Sequence, residues 1–238
     1  MVNLPSLRDL LDAGVHFGHK TSRWHPRMKS FIFMGKNGVH VINLEKTAEE
    51  LEKAVQEIKN LAESGKVIVF VGTKKQAQEI VKKAALNCGM PYVNFRWIGG
   101  TLTNFDNIKG AISRFKALKE DIESNAVEKL SKKAASKMRK EVIRDERIFG
   151  GLSDLNKKPD AFILFGAHDE KNALAEARIS NIKTFALVDT NTDPTAVDFP
   201  IPANDDATKS IELFANLFSQ VIKESKPVVK KEENKKLT

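Results

Sequence analysis

Cysteine is nearly absent from the sequence, with Cys88 the single example in 238 residues. One thiol cannot form an intramolecular disulfide or supply the paired cysteines of a typical structural zinc site. Cys88 lies within an apolar helical pattern, so we expect a buried, inert thiol. Long apolar runs are also missing, because no stretch approaches about 18 consecutive apolar residues. The first residues lack the basic and apolar regions of a signal peptide, so we expect a cytoplasmic protein that does not span a membrane.

The motifs of several enzyme classes are missing too. No strand pattern is followed by the GxGxxG spacing of a dinucleotide site, and the segment 72–75, GTKK, lacks the GxxxxGK(S/T) spacing of a phosphate-binding loop. No nucleophile elbow is visible. One alternative stays open: Asp189 and Asp193 could hold a magnesium ion after a strand. His168 is better explained as a surface residue at a helix start than as a catalytic base.

Apolar runs of strand length alternate with helical patterns along the chain. The segments 66–75, 159–167 and 182–190 are β-branched or aromatic runs without polar alternation, which is typical of parallel strands buried on both faces. Pro200 and Pro202 predict a last strand at the sheet edge. We therefore predict an α/β fold with a parallel, doubly wound (flavodoxin- or Rossmann-like) sheet flanked by helices.

Two further segments add to this sheet. Residues 5–43 read as a short helix and a β-hairpin, the latter around Gly35-Lys36-Asn37-Gly38. Residues 105–149 carry apolar residues at steps of four and three, including Val127 and Leu130, and predict a protruding antiparallel coiled-coil hairpin. We expect residues 1–104 and 150–225 to form one α/β domain, 105–149 to be an insertion, and 226–238 to be a disordered tail.

Positive charge exceeds negative charge, with 39 Lys and Arg against 31 Asp and Glu. This excess favours an acidic partner, of which nucleic acid is the first candidate and an anionic membrane the second. The excess is concentrated locally, since no acid occurs between Ala13 and Leu44. Cations and aromatic rings alternate there, as in surfaces that neutralise phosphates and stack on bases. The predicted RNA contacts in this basic stretch are Lys20, Arg23, Trp24, His25, Arg27 and Lys29.

The same stretch holds several histidines, which raises zinc as an alternative. His16, His19, His25 and His40 are close in sequence, but no cysteine lies nearby and the stretch is crowded with cations. Zinc normally needs cysteine or carboxylate ligands to complete its set, and a crowd of cations repels a divalent ion. We therefore predict no bound metal and no cofactor.

A second acid-free stretch covers residues 90–105. Gly99-Gly100 allows close backbone approach to a ligand, and short polar side chains follow it. We predict Phe95 in the core and RNA contacts from Arg96, Thr101, Thr103 and Asn104. Lys74 and Lys75, after the first buried strand, complete the predicted RNA-binding residues.

Several long segments resemble one protein family. They are AGVHFGHKTSRWHPRMKSFIF, VHVINLEKT, VIVFVGTKK, YVNFRWIGGTLTNF, ALVDTNTDP and VDFPIPANDDA. In this order, they resemble the bacterial ribosomal S-two family of the small subunit. The resemblance implies an α/β fold with a coiled-coil hairpin, a structural role without enzymatic activity, and no small-molecule substrate.

The resemblance also implies partners. It places the protein between the head and body of the small ribosomal subunit, in contact with small-subunit ribosomal RNA and neighbouring ribosomal proteins. It further implies a part in docking protein S-one, which captures messenger RNA. One departure is visible: family members usually carry an acid at a strand end where this chain has Phe165 and Gly166. No role of that acid transfers to this chain.

Two other classes of function stay open at this point. An α/β enzyme using Asp189 would bind a small molecule that stabilises the isolated protein. A scaffold that binds only proteins would give no RNA crosslinks to residues 20–29.

Replacing Arg23 and Arg27 together by alanine is expected to reduce incorporation into small ribosomal subunits, because two phosphate contacts would be lost. The salt dependence of RNA affinity should flatten as well, since fewer counterions would be released on binding. Quantitative mass spectrometry of purified subunits measures incorporation, and an unchanged amount of the variant would contradict the prediction.

Overall fold

Five parallel strands form the central sheet of the protein, in the order β5-β4-β6-β7-β8. The structure is a computed structural model that describes residues 3–124 and 131–226. The five strands are β4 (Ile68–Val71), β5 (Tyr92–Val93), β6 (Ala161–Phe165), β7 (Lys183–Val188) and β8 (Phe199–Pro202). Helices cover both faces, which confirms the predicted parallel, doubly wound α/β sheet.

The helices fall where the apolar periodicity placed them. Ser6 caps the first helix through a capping box with Asp9, in which the Ser6 amide donates to the Asp9 carboxylate at 2.8 Å. Gly89 ends the third helix in the left-handed region at φ 60°. No helix in the described ranges is long and apolar enough to cross a membrane. The helices are α1 (Leu7–Asp12), α2 (Leu44–Glu63), α3 (Gln78–Cys88), α4 (Phe105–Glu123), α5 (Lys132–Phe149), α6 (Lys171–Ile179) and α7 (Thr208–Ser225).

The core is divided into two layers, one on each face of the sheet. Alternate strand residues enter opposite layers, so Phe70 and Phe165 pack on one face while Val69 and Leu164 pack on the other. Helices α2, α3 and α7 cover the first layer, and α4 and α6 cover the second. Because both faces are covered, the strands read as continuous apolar runs.

The edge strand and the thiol both match expectation. Strand β8 pairs with β7 and lies at the end of the five-stranded sheet, which confirms the edge position predicted from its two prolines.

Cys88 is 4% exposed, and burial raises the pKa of its thiol. The thiol is therefore protonated at neutral pH, as expected of an inert cysteine.

A separate three-stranded antiparallel sheet precedes the main sheet. Its strands, in the order β1-β3-β2, are β1 (Phe17–Lys20), β2 (Ile32–Lys36) and β3 (Val39–Ile42). The predicted hairpin joins β2 to β3 through Asn37 and Gly38, whose φ angles of 52° and 77° suit a tight turn. The third strand, β1, was not predicted, because four residues without apolar alternation carry little strand pattern of their own.

Helices α4 and α5 occupy the segment predicted to form a helical hairpin. An ion pair of 2.8 Å between Lys119 Nζ and Glu146 Oε1 links them. Ile108 and Ile112 are buried in the second core layer, so the first turns of α4 pack against the sheet. A regular coiled coil stays a prediction, because Val127 and Leu130 lie outside the described residues.

Most of the predicted tail also lies outside the described residues. Its first residue, Lys226, is placed, and its ammonium donates to the backbone oxygens of Cys88 and Gly89 at 2.5 and 3.1 Å. Lys226 thereby caps the carboxyl end of α3.

Gly151→Ala is expected to lower the free energy of unfolding by about 1–3 kcal/mol, the usual cost of inserting a methyl group into filled space. A Cβ at this position would overlap the backbone oxygen and the ring of Tyr92, on strand β5. Urea-induced unfolding followed by circular dichroism measures the change.

Gly110→Ala is the matched control, because a Cβ there has open space within helix α4. That variant should gain about 0.5–1 kcal/mol. Equal stability of the two variants would contradict the packing at Gly151.

Candidate nucleic-acid interface

The N-terminal stretch lies across the carboxyl ends of the parallel strands. The His25 amide donates to the backbone oxygen of Thr190 at 2.7 Å, and the His19 amide donates to the Thr190 hydroxyl at 2.9 Å. Gly18 sits so close to Thr190 that a Cβ would lie 2.6 Å from its methyl carbon. This edge is where open α/β sheets bind small ligands. Here the chain's own residues occupy it next to β7.

His19 is held between two carboxylates at this edge. Its Nδ1 is 3.0 Å from Asp189 Oδ1, and its Nε2 is 3.4 Å from Asp206 Oδ2. The hydrogen bond to Asp189 raises the pKa of His19 against the opposing effect of burial. Both ring nitrogens donate in the charged form, so the geometry suits an imidazolium.

Asp189 therefore has a structural task. Its carboxylate is 1% exposed and also accepts hydrogen bonds from the amide of Thr190 at 2.5 Å and from its hydroxyl at 3.1 Å. Within residues 3–124 and 131–226, no group of three histidines, cysteines or acids is arranged to hold a metal ion. The role of Asp189 in this structure is to bind His19 and Thr190.

Lys74 lies inside a group of acids on the same edge. Its ammonium is 2.6 Å from Asp205, 2.9 Å from Asp206 and 3.1 Å from Asp169, and its side chain is 14% exposed. Burial alone would lower the pKa of Lys74, but the three carboxylates raise it. Its charge is neutralised internally, which disfavours the predicted phosphate contact. Lys75, by contrast, is exposed.

Three carboxylates surround the ammonium of Lys74, and this excess of negative charge is visible in the pKa of Asp205. Burial, reinforced by Asp189, raises the pKa of Asp205 to about 6 even though Lys74 opposes the shift. Its Oδ2 has no hydrogen-bond partner among the residues that the structure describes. Gly166, at φ 121°, faces this oxygen, and a Cβ there would lie 3.2 Å from it. Gly166 thus leaves room for Asp205 and adds no negative charge beside it.

The basic stretch leaves most of its cations in solvent. Met28 is fully buried in the second core layer and fixes the middle of the stretch. Lys20, Arg23 and Lys29 are exposed and form no ion pair with any residue in the described ranges. Arg27 differs, because its Nη1 donates to Asp193 and to the Thr195 hydroxyl, each at 2.7 Å.

The two rings predicted to meet RNA lie beside these cations. Trp24 is 37% exposed, and its ring centroid is 5.5 Å from that of His40. His25 is half-buried, with its Nδ1 accepting from the Arg27 amide at 3.3 Å. Trp24 is therefore partly open to solvent, whereas a backbone amide orients the His25 ring.

The second predicted stretch folds around a buried acid, Glu176 of α6. Its carboxylate accepts hydrogen bonds from the Trp97 indole at 3.1 Å and from the amides of Gly100 and Leu102 at 2.8 and 2.9 Å. The amide and the hydroxyl of Thr103 add two longer bonds of 3.3 Å each. One carboxylate therefore sets the conformation of the loop.

The electrostatics of Glu176 fit this role. Burial alone would raise the pKa of Glu176, but the hydrogen bonds from Leu102, Trp97 and Gly100 lower it below its ordinary value. The carboxylate therefore stays charged at neutral pH. Sequence reasoning missed it, because one acid in an otherwise amphipathic helix resembles a solvated residue.

The loop distributes its predicted contacts unevenly. Thr101 is 3% exposed, and its hydroxyl donates to the Ile98 backbone oxygen at 2.5 Å, which makes it a structural residue. Arg96, Thr103 and Asn104 are exposed. The prediction that Phe95 belongs to the core is wrong, since its side chain is 46% exposed. Short β5 ends before Phe95, so strand alternation does not carry that ring inward.

Comparison with known proteins identifies the family. The model of the family described as "Ribosomal protein S2" matches residues 10–225. The chain belongs to the ribosomal protein S2 family. It is 42% identical over 237 residues to the small ribosomal subunit protein uS2 of Endomicrobium trichonymphae, and the match covers all of this chain and 97% of that protein. Membership in the S2 family makes the chain a structural constituent of the small ribosomal subunit and not an enzyme.

His19→Gln is expected to remove a stabilising contribution that depends on pH. The raised pKa means that the folded S2 chain holds the His19 proton more tightly than the unfolded chain does. The contribution is thus complete below the unfolded value of about 6.5 and is lost as pH rises through the folded value. The excess stability of the wild type over the variant should shrink in urea titrations as pH rises above about 6.5.

His168→Gln provides a control of opposite sign. Burial lowers the pKa of His168, so the stability of the wild type relative to that variant should grow as pH rises towards about 6.5 and level off above it. If the excess stability of the wild type over His19→Gln stays constant with pH, the charged pairing of His19 with Asp189 is contradicted.

Proposed function

We propose that this S2-family protein binds small-subunit ribosomal RNA through the exposed cations of the basic stretch. The observation that carries the proposal is the separation of charge at the sheet edge. Asp189 and Asp205 are buried there, and the more exposed Asp169 and Asp206 are paired with Lys74. Lys20, Arg23 and Lys29, by contrast, face solvent without partners in the described chain. Such a surface attracts a polyphosphate backbone and neutralises it.

Aromatic and polar residues complete the proposed RNA surface. Trp24 and His25 lie among the cations, where a ring packs on an unpaired base or a ribose. Lys75 follows β4, and Arg96, Thr103 and Asn104 follow β5, so both groups leave the same carboxyl edge of the parallel sheet. We leave Lys74 and Thr101 out of the contact set, because their side chains are largely buried and their polar groups are used internally. Thr103 stays in the set because it is exposed, although its hydroxyl also bonds to Glu176.

Contact with neighbouring small-subunit proteins is the second part of the proposal. Large apolar side chains of the N-terminal region are exposed, among them Leu7 at 48%, Phe17 at 55% and Phe33 at 68%. Exposed apolar surface of this kind is typical of protein interfaces. The position between head and body, the docking of protein S-one and a cytoplasmic location rest on the family resemblance.

The combined substitution of Lys20, Arg23 and Lys29 by glutamine tests the RNA-binding proposal. Arg27 is spared, because its loss would also break the ion pair with Asp193. We expect the slope of log affinity against log salt for ribosomal RNA to fall by about two to three units, and incorporation into subunits to drop. Filter binding across a salt series measures the slope.

A charge-matched control carries glutamine at Lys53, Lys83 and Lys209 instead. These exposed lysines lie on α2, α3 and α7, which cover the other core layer. The control should keep most of the slope and full incorporation. If both triple variants lose affinity equally, the binding surface is not the basic stretch.

A further inference from the structure

An open groove lies between α6 and the segment 191–196, beside the basic stretch. It has a volume of about 650 Å³, within the range of sites that hold small organic groups. Its apolar wall comes from Leu174, Ala175 and Ile179 of α6, with Ile179 73% exposed. His25 reaches into its lining from the basic stretch. The groove is therefore continuous with the proposed RNA surface.

Positive charge surrounds the apolar wall. Lys171 and Arg178 lie seven positions apart, on one face of α6, and neither forms an ion pair with a residue in the described ranges. Asp193 also lines the groove, but its carboxylate is held by Arg27 and by the amide and hydroxyl of Thr195. The free charge at the groove thus favours an anion.

His168 adds a ring to the lining. Burial lowers the pKa of His168, and Lys171 lowers it further, so the imidazole is neutral near pH 7. A neutral imidazole stacks on a flat ring and can both donate and accept a hydrogen bond. An occupant with a flat polar ring and an attached anion matches these features together.

We propose that the groove binds one unpaired nucleotide of RNA, with its base against the apolar wall and its phosphate on Lys171 and Arg178. The inference rests on the proposed RNA-binding function and specifies that this part of the surface binds unpaired RNA. A duplex is excluded from the groove, because its bases are stacked and paired. Continuity with the basic stretch through His25 favours RNA over an acidic peptide as the occupant.

Ala175→Phe in the full-length protein tests the groove directly. Ala175 is exposed on α6, so the new ring fills the groove without entering the core. Affinity for short oligouridine should fall by about fivefold or more, the loss expected for one stacked base. The salt slope should not change, and affinity for an RNA duplex of the same length should stay the same. Fluorescence anisotropy measures both.

Asn172→Phe is the matched control, since Asn172 is exposed on the same helix and does not line the groove. It should bind both RNAs like the wild type. The combined change of Lys171 and Arg178 to glutamine should lower the oligouridine salt slope by about one to one and a half units. Circular dichroism confirms that each variant is folded.

Three outcomes would overturn the inference. Unchanged oligouridine affinity of Ala175→Phe excludes a nucleotide, and an equal loss for duplex and single strand excludes a base-specific groove. Reduced incorporation into subunits with unchanged RNA affinity assigns the groove to a protein partner. The triple variant of the basic stretch is measured in parallel with the same RNAs. If the triple variant loses RNA affinity while the groove variants bind normally, the groove proposal is rejected and the proposed function is retained. If the groove variants lose affinity while the triple variant binds normally, the basic stretch is rejected as the binding surface.

Discussion

The buried carboxylate of Asp189 holds the N-terminal region on the parallel sheet, and the candidate interface depends on this contact. It pairs with His19 and orients Thr190, whose oxygens accept the amides of His19 and His25. A buried, well-bonded carboxylate is costly to separate from its partners, so the contact fixes the path of the chain. The place where related sheets bind small ligands is thereby filled by the protein itself.

This arrangement separates charges of opposite sign at one edge of the fold. Acids such as Asp205 and Glu176 point inward and are bonded to Lys74, indole or amide groups. Cations of the basic stretch point outward. A polyanion approaching the basic stretch meets exposed cations, while Asp189 and Asp205 are buried. The more exposed Asp169 and Asp206 are paired with Lys74. The local arrangement of charges therefore describes the surface better than the net charge of +8 does.

Much of the fold was predictable from local patterns, and the site was predictable only in part. Continuous apolar runs identified the buried strands, two prolines identified the edge strand, and apolar periodicity located the helices. Strand β1 and the exposure of Phe95 were missed, because a short strand is defined by its partner and not by its own composition. Glu176 was missed for a related reason: its five donors come from a loop that lies more than seventy positions earlier in the sequence.

The sequence by itself determined the fold class, the family and the acid-free basic stretch, since each depends on residue order and composition. Tertiary structure decided which members of that stretch are free. Arg27 and Lys74 carry the same charge as Arg23 and Lys75, yet the first two face carboxylates from distant segments and the other two face solvent. Whether a charged side chain is available to a partner depends on which groups folding brings within a few ångströms of it, and local sequence does not contain that distance.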